Sequence, residues 1–200
     1  MFLETLIVSP IVFLRVVIIV IISISLHELA HGLVALSQGD DTPRKQGHIT
    51  LNPLVHMGWE SLIFLCVAGI AWGKMPINAS NFRSQRLGNI LVSTAGPLCN
   101  LVLAFLCVGL LKLLADSTYA EFFSFQFLYM SAHINLMLFL FNLLPIPPLD
   151  GFYIFSEIFP ILKPLQYTYF GLFALMMLFL IPEFGDGLSA IAVFILRTIL

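Results

Sequence analysis

The chain has 200 residues, of which 60% are hydrophobic and 10% charged, with a formal net charge of -2. Soluble domains average about 25% charged residues, so a soluble globular domain is excluded, and the near-neutral balance gives no basis for nucleic-acid binding. What remains is an integral membrane protein of one domain, expected to be an all-α polytopic fold with about five to six membrane segments, one of them re-entrant.

The first apolar run extends from about Ile7 to Leu36, longer than the ~20 residues that one crossing needs. Pro10 and Arg15 put the start of the span near Val12, with Arg15 snorkelling at one interface. The run opens Met1-Phe2-Leu3-Glu4 without a basic region, and it reads as a retained helix rather than a cleavable signal. Its far half carries His27-Glu28-Leu29-Ala30-His31. A helix turns about 100° per residue, so His27 and His31 share a face about 6 Å apart along the axis. Two imidazoles so spaced can grip one zinc ion, with the Glu28 carboxylate beside them to handle protons. A bland reading is a set of polar packing or pore residues without metal. An ionisable cluster inside an apolar helix is expensive, however, and marks a functional site by default.

From Ser37 to Pro53 the chain turns polar, and weak alternation over Gly47-His48-Ile49-Thr50-Leu51 suggests a short strand or β-hairpin. Met57 to Trp72 is apolar but holds Gly58, Glu60 and Gly69. It is marginal for a full crossing and reads as a re-entrant or half-inserted helix. Lys74 to Arg86 is a basic loop. Leu87 to Leu114 is a clear span whose first part, Thr94 to Asn100, has small residues that allow close backbone approach. A polar loop over 112–121 leads to a span from Phe122 to Leu144 with His133, Asn135 and Asn142. That span must end at Pro145-Ile146-Pro147-Pro148-Leu149-Asp150-Gly151, because prolines forbid a continued helix. A short interfacial helix is expected over 151–164, one full span over 165–181 and a short, tilted one over 188–200. Cys66, Cys99 and Cys107 all fall in apolar stretches, and an odd count there argues for packing rather than disulfides.

Loop charge orients these segments. Arg44, Lys45, Lys74, Arg83 and Arg86 lie in loops 37–56 and 73–86, whereas loops 112–121 and 182–187 are net acidic. The positive-inside rule puts the first pair in the cytoplasm, so the histidines and Asp150 approach the bilayer from that side.

A catalytic zinc takes three protein ligands and keeps one position open. His27 and His31 supply two, and Asp150, His48, His56, His133 and Glu60 are candidates for the third. Asp150 is the best placed, on irregular backbone that membrane depth tolerates only beside a cavity or inside protein. Taken alone, it is equally well read as the N-cap of the following helix. Asn100 and Asn142 are candidate substrate-binding or oxyanion donors. Interhelical hydrogen bonding is the commoner role for Asn in membrane helices.

His27-Glu28-x-x-His31, Ala95-Gly96-Pro97-Leu98-Cys99-Asn100 and Asn142-Leu143-Leu144-Pro145-Ile146-Pro147-Pro148-Leu149-Asp150-Gly151 follow one another in that order. Together they resemble the site-2 protease family of intramembrane zinc metalloproteases over roughly residues 20–155. The segment Gly47 to His56 is also similar to the family, departing at Gly58 where an aspartate is common. Gly73-Lys74-Met75-Pro76-Ile77-Asn78 looks like a degraded form of its Lys-Pro-Val-Pro-x-Asn loop. The resemblance implies a zinc cofactor held by His27, His31 and Asp150, with Glu28 as catalytic base. It implies single-span membrane proteins as substrates, already shortened by another protease. It further implies one transmembrane metalloprotease domain over residues 1–200, with a catalytic core over 12–155; the family's larger members carry a PDZ or CBS module, for which the chain's lack of a long polar segment leaves no room. The setting would be the plasma membrane of a prokaryote, with the site opening to the cytoplasm. Two other classes stay in view: a metal-binding transporter or channel, and a catalytically inactive relative acting as a binding scaffold. The chain lacks the internal repeats common in transporters, and its intact Glu28 argues against the scaffold.

Overall fold

The computed structural model describes residues 2–114 and 125–200. Among them every regular element is helical: α1 (Phe2–Val8), α2 (Pro10–Ser37), α3 (Thr42–Lys45), α4 (Pro53–Ala68), α5 (Gln85–Leu114), α6 (Phe125–Asn142), α7 (Asp150–Ile158), α8 (Phe170–Phe179) and α9 (Pro182–Ile199). Two 3-10 segments, Ala79–Asn81 and Pro160–Tyr167, complete the set.

The long apolar runs become the longest helices. α2 has 28 residues and α5 has 30, which at 1.5 Å per residue makes them about 42 and 45 Å long. Both are long and apolar enough to cross a membrane. Ile11, Leu14, Ile18 and Ile22 of α2 stand exposed at three- and four-residue spacing, while Ser23, Ser25, His27, Glu28 and His31 are buried. This inverts the soluble pattern and suits a helix with lipid outside and a polar site inside.

α5 is the central helix and packs most extensively against α6 and α2. Ala104 and Val108 of α5, Ala132 and Leu136 of α6, and Ala192 and Leu196 of α9 form one buried apolar cluster. At the start of α6, Gln126 accepts a hydrogen bond from Arg15 of α2 at 2.7 Å. α2 and α6 therefore run in the same direction, with α5 returning between them. Arg15 is thus held by the neighbouring helix.

Four expectations need correction. No strand or hairpin forms over 47–51: the backbone turns through Gly47 at φ 72° and is held by His48 N–H on the Pro43 carbonyl. Residues 165–181 are not one straight span, because the 3-10 segment Pro160–Tyr167 and α8 meet at 85°. The ring of Pro164 sits inside that segment and prevents α-helical continuation. The helix expected over 151–164 stops at Ile158 for the same reason, since Pro160 follows. α9 starts earlier than position 188, with Pro182 at its first turn. The apolar piece over 57–72 is the helix α4, whose 16 residues reach about 24 Å, short of a ~30 Å hydrocarbon core. It begins on an Asn52 cap and kinks at Gly58, where φ is 68° and ψ 170°, a backbone state closed to other residues. Most of the acidic loop over 112–121 lies outside the described residues.

The segment after α4 runs extended alongside α2 and α4. Ser61 Oγ donates to the Trp72 carbonyl and accepts from the Trp72 N–H, and Lys74 N–H donates to the His56 carbonyl. Further on, Asp40 at the end of α2 gathers the loop. Its carboxylate accepts from Thr42 N–H and hydroxyl, from Asn78 N–H and from the Asn81 amide. Asp40 is completely buried, so these donors replace the water it has lost.

Candidate active site

His27 and His31 occur one turn apart on α2, and both rings are buried. Their Nε2 atoms lie 3.0 Å apart. α6 ends at Asn142, and the prolines that follow turn the chain so that Asp150 opens α7 facing these rings. One Asp150 oxygen is 3.1 Å from His27 Nε2 and the other 3.3 Å from His31 Nε2. The cap position of α7 belongs to Leu149, with no side-chain cap. Asp150 is thus turned to the imidazoles rather than used as a cap, which separates its two readings.

The outer nitrogens of both rings are fixed by α5. His31 Nδ1 is 2.6 Å from the Val92 carbonyl, and His27 Nδ1 is 2.6 Å from Asn100 Oδ1. A carbonyl can only accept, so His31 carries a proton on Nδ1, and Nε2 is the ring position left to face a metal ion. Between these two contacts sits Gly96, where any β-carbon would collide with both Nε2 atoms. Small-residue spacing at 94–100 therefore serves an approach between backbone and imidazole as well as between helices.

The set His27, His31 and Asp150 offers one ligand atom each, all within 4.8 Å of one another. Tetrahedral ligands at ~2.0–2.2 Å from zinc stand about 3.3–3.5 Å apart, close to the separations here. A carboxylate and two imidazole lone pairs converge with acceptors inward, a donor set that fits a cation.

The other candidate ligands are elsewhere. His56 Nε2 is 2.8 Å from the Thr50 carbonyl, His48 Nδ1 is 3.1 Å from the Gln46 carbonyl, and His133 Nε2 is 3.1 Å from Ser189 Oγ. Glu60 is exposed. Glu28, His27, His31 and Asp150 line one cavity of about 960 Å³, bordered also by Trp72, Gly73 and Asn142. Asn142 donates to the Leu138 carbonyl of its own helix at 3.0 Å, within that cavity wall. Asn100 is different: it is fully buried on the far side of His27 and bonded to Asn135. Sequence reasoning gave no site role to Val92, whose contribution is a main-chain carbonyl without a side-chain signal, nor to Gly73, read only as the start of a family-like loop, whose α-carbon abuts the Glu28 carboxylate.

Residues 109–182 match the profile of Peptidase family M50. That stretch includes Asp150 but not the histidine helix. Broader similarity comes from whole-chain relatives. The protein of Bacillus subtilis (strain 168) named "Putative zinc metalloprotease YwhC" is 42% identical, over 83% of this chain and 80% of its own length. The chain belongs to peptidase family M50. The M50 relatives named "Putative zinc metalloprotease Rip2" agree: that of Mycolicibacterium smegmatis is 33% identical over 72% of this chain and 59% of its own length. That of Mycobacterium tuberculosis (strain H37Rv) is 31% identical over 88% and 71%. No solved structure matches. Membership of M50 bears out the resemblance to the site-2 proteases drawn from the motifs.

Proposed function

We propose that the protein is a zinc-dependent intramembrane endopeptidase that hydrolyses peptide bonds within or near the transmembrane helices of single-span membrane proteins. The observation that carries this is the convergence of His27, His31 and Asp150 beside Glu28 on one cavity. Family M50 and the relatives' names support the zinc and the peptidase chemistry. His27, His31 and Asp150 hold the metal, leaving the cavity side for water and substrate.

When bound, zinc supplies Lewis acidity towards the scissile carbonyl and the attacking water. Glu28 is one residue from His27 and faces the same cavity. Its carboxylate takes the proton of the attacking water and returns it to the leaving amine. Asn142, which lines the same cavity, is the remaining candidate donor to the developing oxyanion. Its amide has one hydrogen on the Leu138 carbonyl and a second to give. A helical substrate hides its carbonyls in i to i−4 bonds, so it must unwind locally before it reaches these groups.

In the bilayer, α2, α5, α6 and the C-terminal helices form the crossings, and α4 enters partway, which gives about five to six segments. The basic loops around Arg44 and Arg83 face the cytoplasm, and the site opens to that side of a prokaryotic plasma membrane. The transporter reading lacks support, since the polar cluster has inward-facing acceptors on three sides and a carboxylate poised beside it. The test is purified protein in detergent with a panel of single-span helices, with and without chelator. Glu28→Gln should bind zinc as the parent does and lose most turnover. Cleavage at the parent rate by Glu28→Gln, or insensitivity to chelator, would refute the reading.

A further inference from the structure

Behind His27 a chain of hydrogen bonds crosses three helices. His27 Nδ1 is 2.6 Å from Asn100 Oδ1. The Asn100 amide donates to Asn135 Oδ1 at 3.0 Å, and the Asn135 amide donates to the Ser131 carbonyl at 2.9 Å. Asn100 and Asn135 are both buried, with exposures of 0% and 3%, so water cannot substitute for any of these partners.

The chain has a direction, and chemistry sets it from one end. The Ser131 carbonyl can only accept, so Asn135 must turn its NH2 towards it and its oxygen away. That oxygen can only accept, so Asn100 turns its NH2 to Asn135 and its oxygen to His27. The Asn100 oxygen then requires a proton on His27 Nδ1. With that proton on Nδ1, Nε2 is the ring position that faces Asp150 and His31, where a metal ion can take the place of a proton. An asparagine by itself is indifferent, because flipping its amide would present a donor and force the opposite tautomer. Asn135 removes that freedom.

We propose that Asn100 and Asn135 are positioning residues, and that the polarity of a main-chain carbonyl on α6 is relayed through their amides to fix His27 as the Nδ1–H tautomer able to ligate metal. The proposal rests on His27 being a metal ligand only for its affinity readout. Its other readout, the proton on His27 Nδ1, needs no bound metal. His31 needs no such relay, since its Nδ1 meets the Val92 carbonyl directly.

The experiment uses the full-length protein in detergent, with two measurements. Nitrogen NMR of His27 in the metal-free protein reports the tautomer, and competition with a chromophoric chelator reports zinc affinity. The parent should show His27 protonated at Nδ1. Asn135→Leu and Asn100→Leu should populate the Nε2–H form and bind zinc about 10–100-fold more weakly, the usual cost of losing an outer hydrogen-bond partner. Asn100→Asp keeps an acceptor towards His27 and should keep the Nδ1–H tautomer. Asn135→Ala replaces the leucine variant if that one does not fold.

A parent protein with His27 unprotonated at Nδ1 overturns the proposal without any variant. So does an unchanged tautomer in either Asn135 variant, even if the protein melts earlier, since that is what interhelical glue alone would give. A parent that binds no zinc but holds the Nδ1–H tautomer refutes the metalloprotease reading and leaves the relay standing.

Discussion

The α-carbon of Gly73 lies against the carboxylate of Glu28, leaving no room for a β-carbon between them. The loop that carries Gly73 is thereby a wall of the site, in contact with the group proposed as base. Gly73→Ala should push the Glu28 carboxylate aside while leaving His27, His31 and Asp150 in place. Turnover should fall about 100-fold, the cost of misplacing a catalytic group by about 1 Å, with zinc content unchanged. Steady-state assay and metal analysis of the same preparation check both halves.

Asp150→Ala should release zinc, lowering affinity by more than the roughly 10–100-fold that outer partners account for. His48→Ala, His56→Ala and His133→Ala should each retain the metal, since those rings are hydrogen-bonded to the Gln46 and Thr50 carbonyls and to Ser189. Zinc loss in any of the three would reassign the ligand set.

Asp40 ties the end of α2 to the loop bearing Gly73. Burial opposes its ionisation, but donors from Thr42, Asn78 and Asn81 outweigh that and hold its carboxyl below the usual range. A carboxyl lowered on folding contributes stability that is fully present above its unfolded pKa of about 3.9 and is lost as pH falls through the folded value. Asp40→Ala should cost about 2–3 kcal/mol at neutral pH, because it leaves buried donors unpaired. Asp40→Asn should flatten the acid limb of the stability curve below about pH 4. Thermal melts in detergent across pH measure both.

Single cysteines at positions 83 and 116, in a background lacking Cys66, Cys99 and Cys107, test the orientation. The basic Arg83 loop should be protected from an impermeant reagent in intact cells, and position 116 labelled. The reverse pattern would invert the protein in the membrane.

The clustering of His27, His31 and Asp150 was largely legible in the sequence. Four-residue spacing on a helix places His27 and His31 on one face by geometry alone, and three prolines force the chain out of α6 just before Asp150. What could not be read is whatever needs a partner from another helix. In sequence Asn100 reads as an oxyanion donor or, more commonly, as an interhelical hydrogen bond, and only the fold supplies its partners, a ring nitrogen on one side and Asn135 on the other. Nothing in a sequence marks the Val92 carbonyl as special. The misread hairpin has a local cause: five weakly alternating residues do not outweigh a left-handed turn at Gly47. An apolar run likewise records that 165–181 avoids water and not that the backbone bends near Thr168.

Val92, Gly96 and Asn100 recur every four residues on α5, as His27 and His31 do on α2, and the two stripes meet antiparallel: Asn100 against His27, Val92 against His31, Gly96 between. The candidate site therefore depends on two helices whose phases must agree. One residue inserted between Val92 and Asn100 would swing Asn100 about 100° around its axis, leaving every motif residue present in the chain and His27 without its acceptor. A search for functional relatives by the histidine pentapeptide alone would accept such a sequence, whereas requiring the four-residue cadence on both helices would reject it.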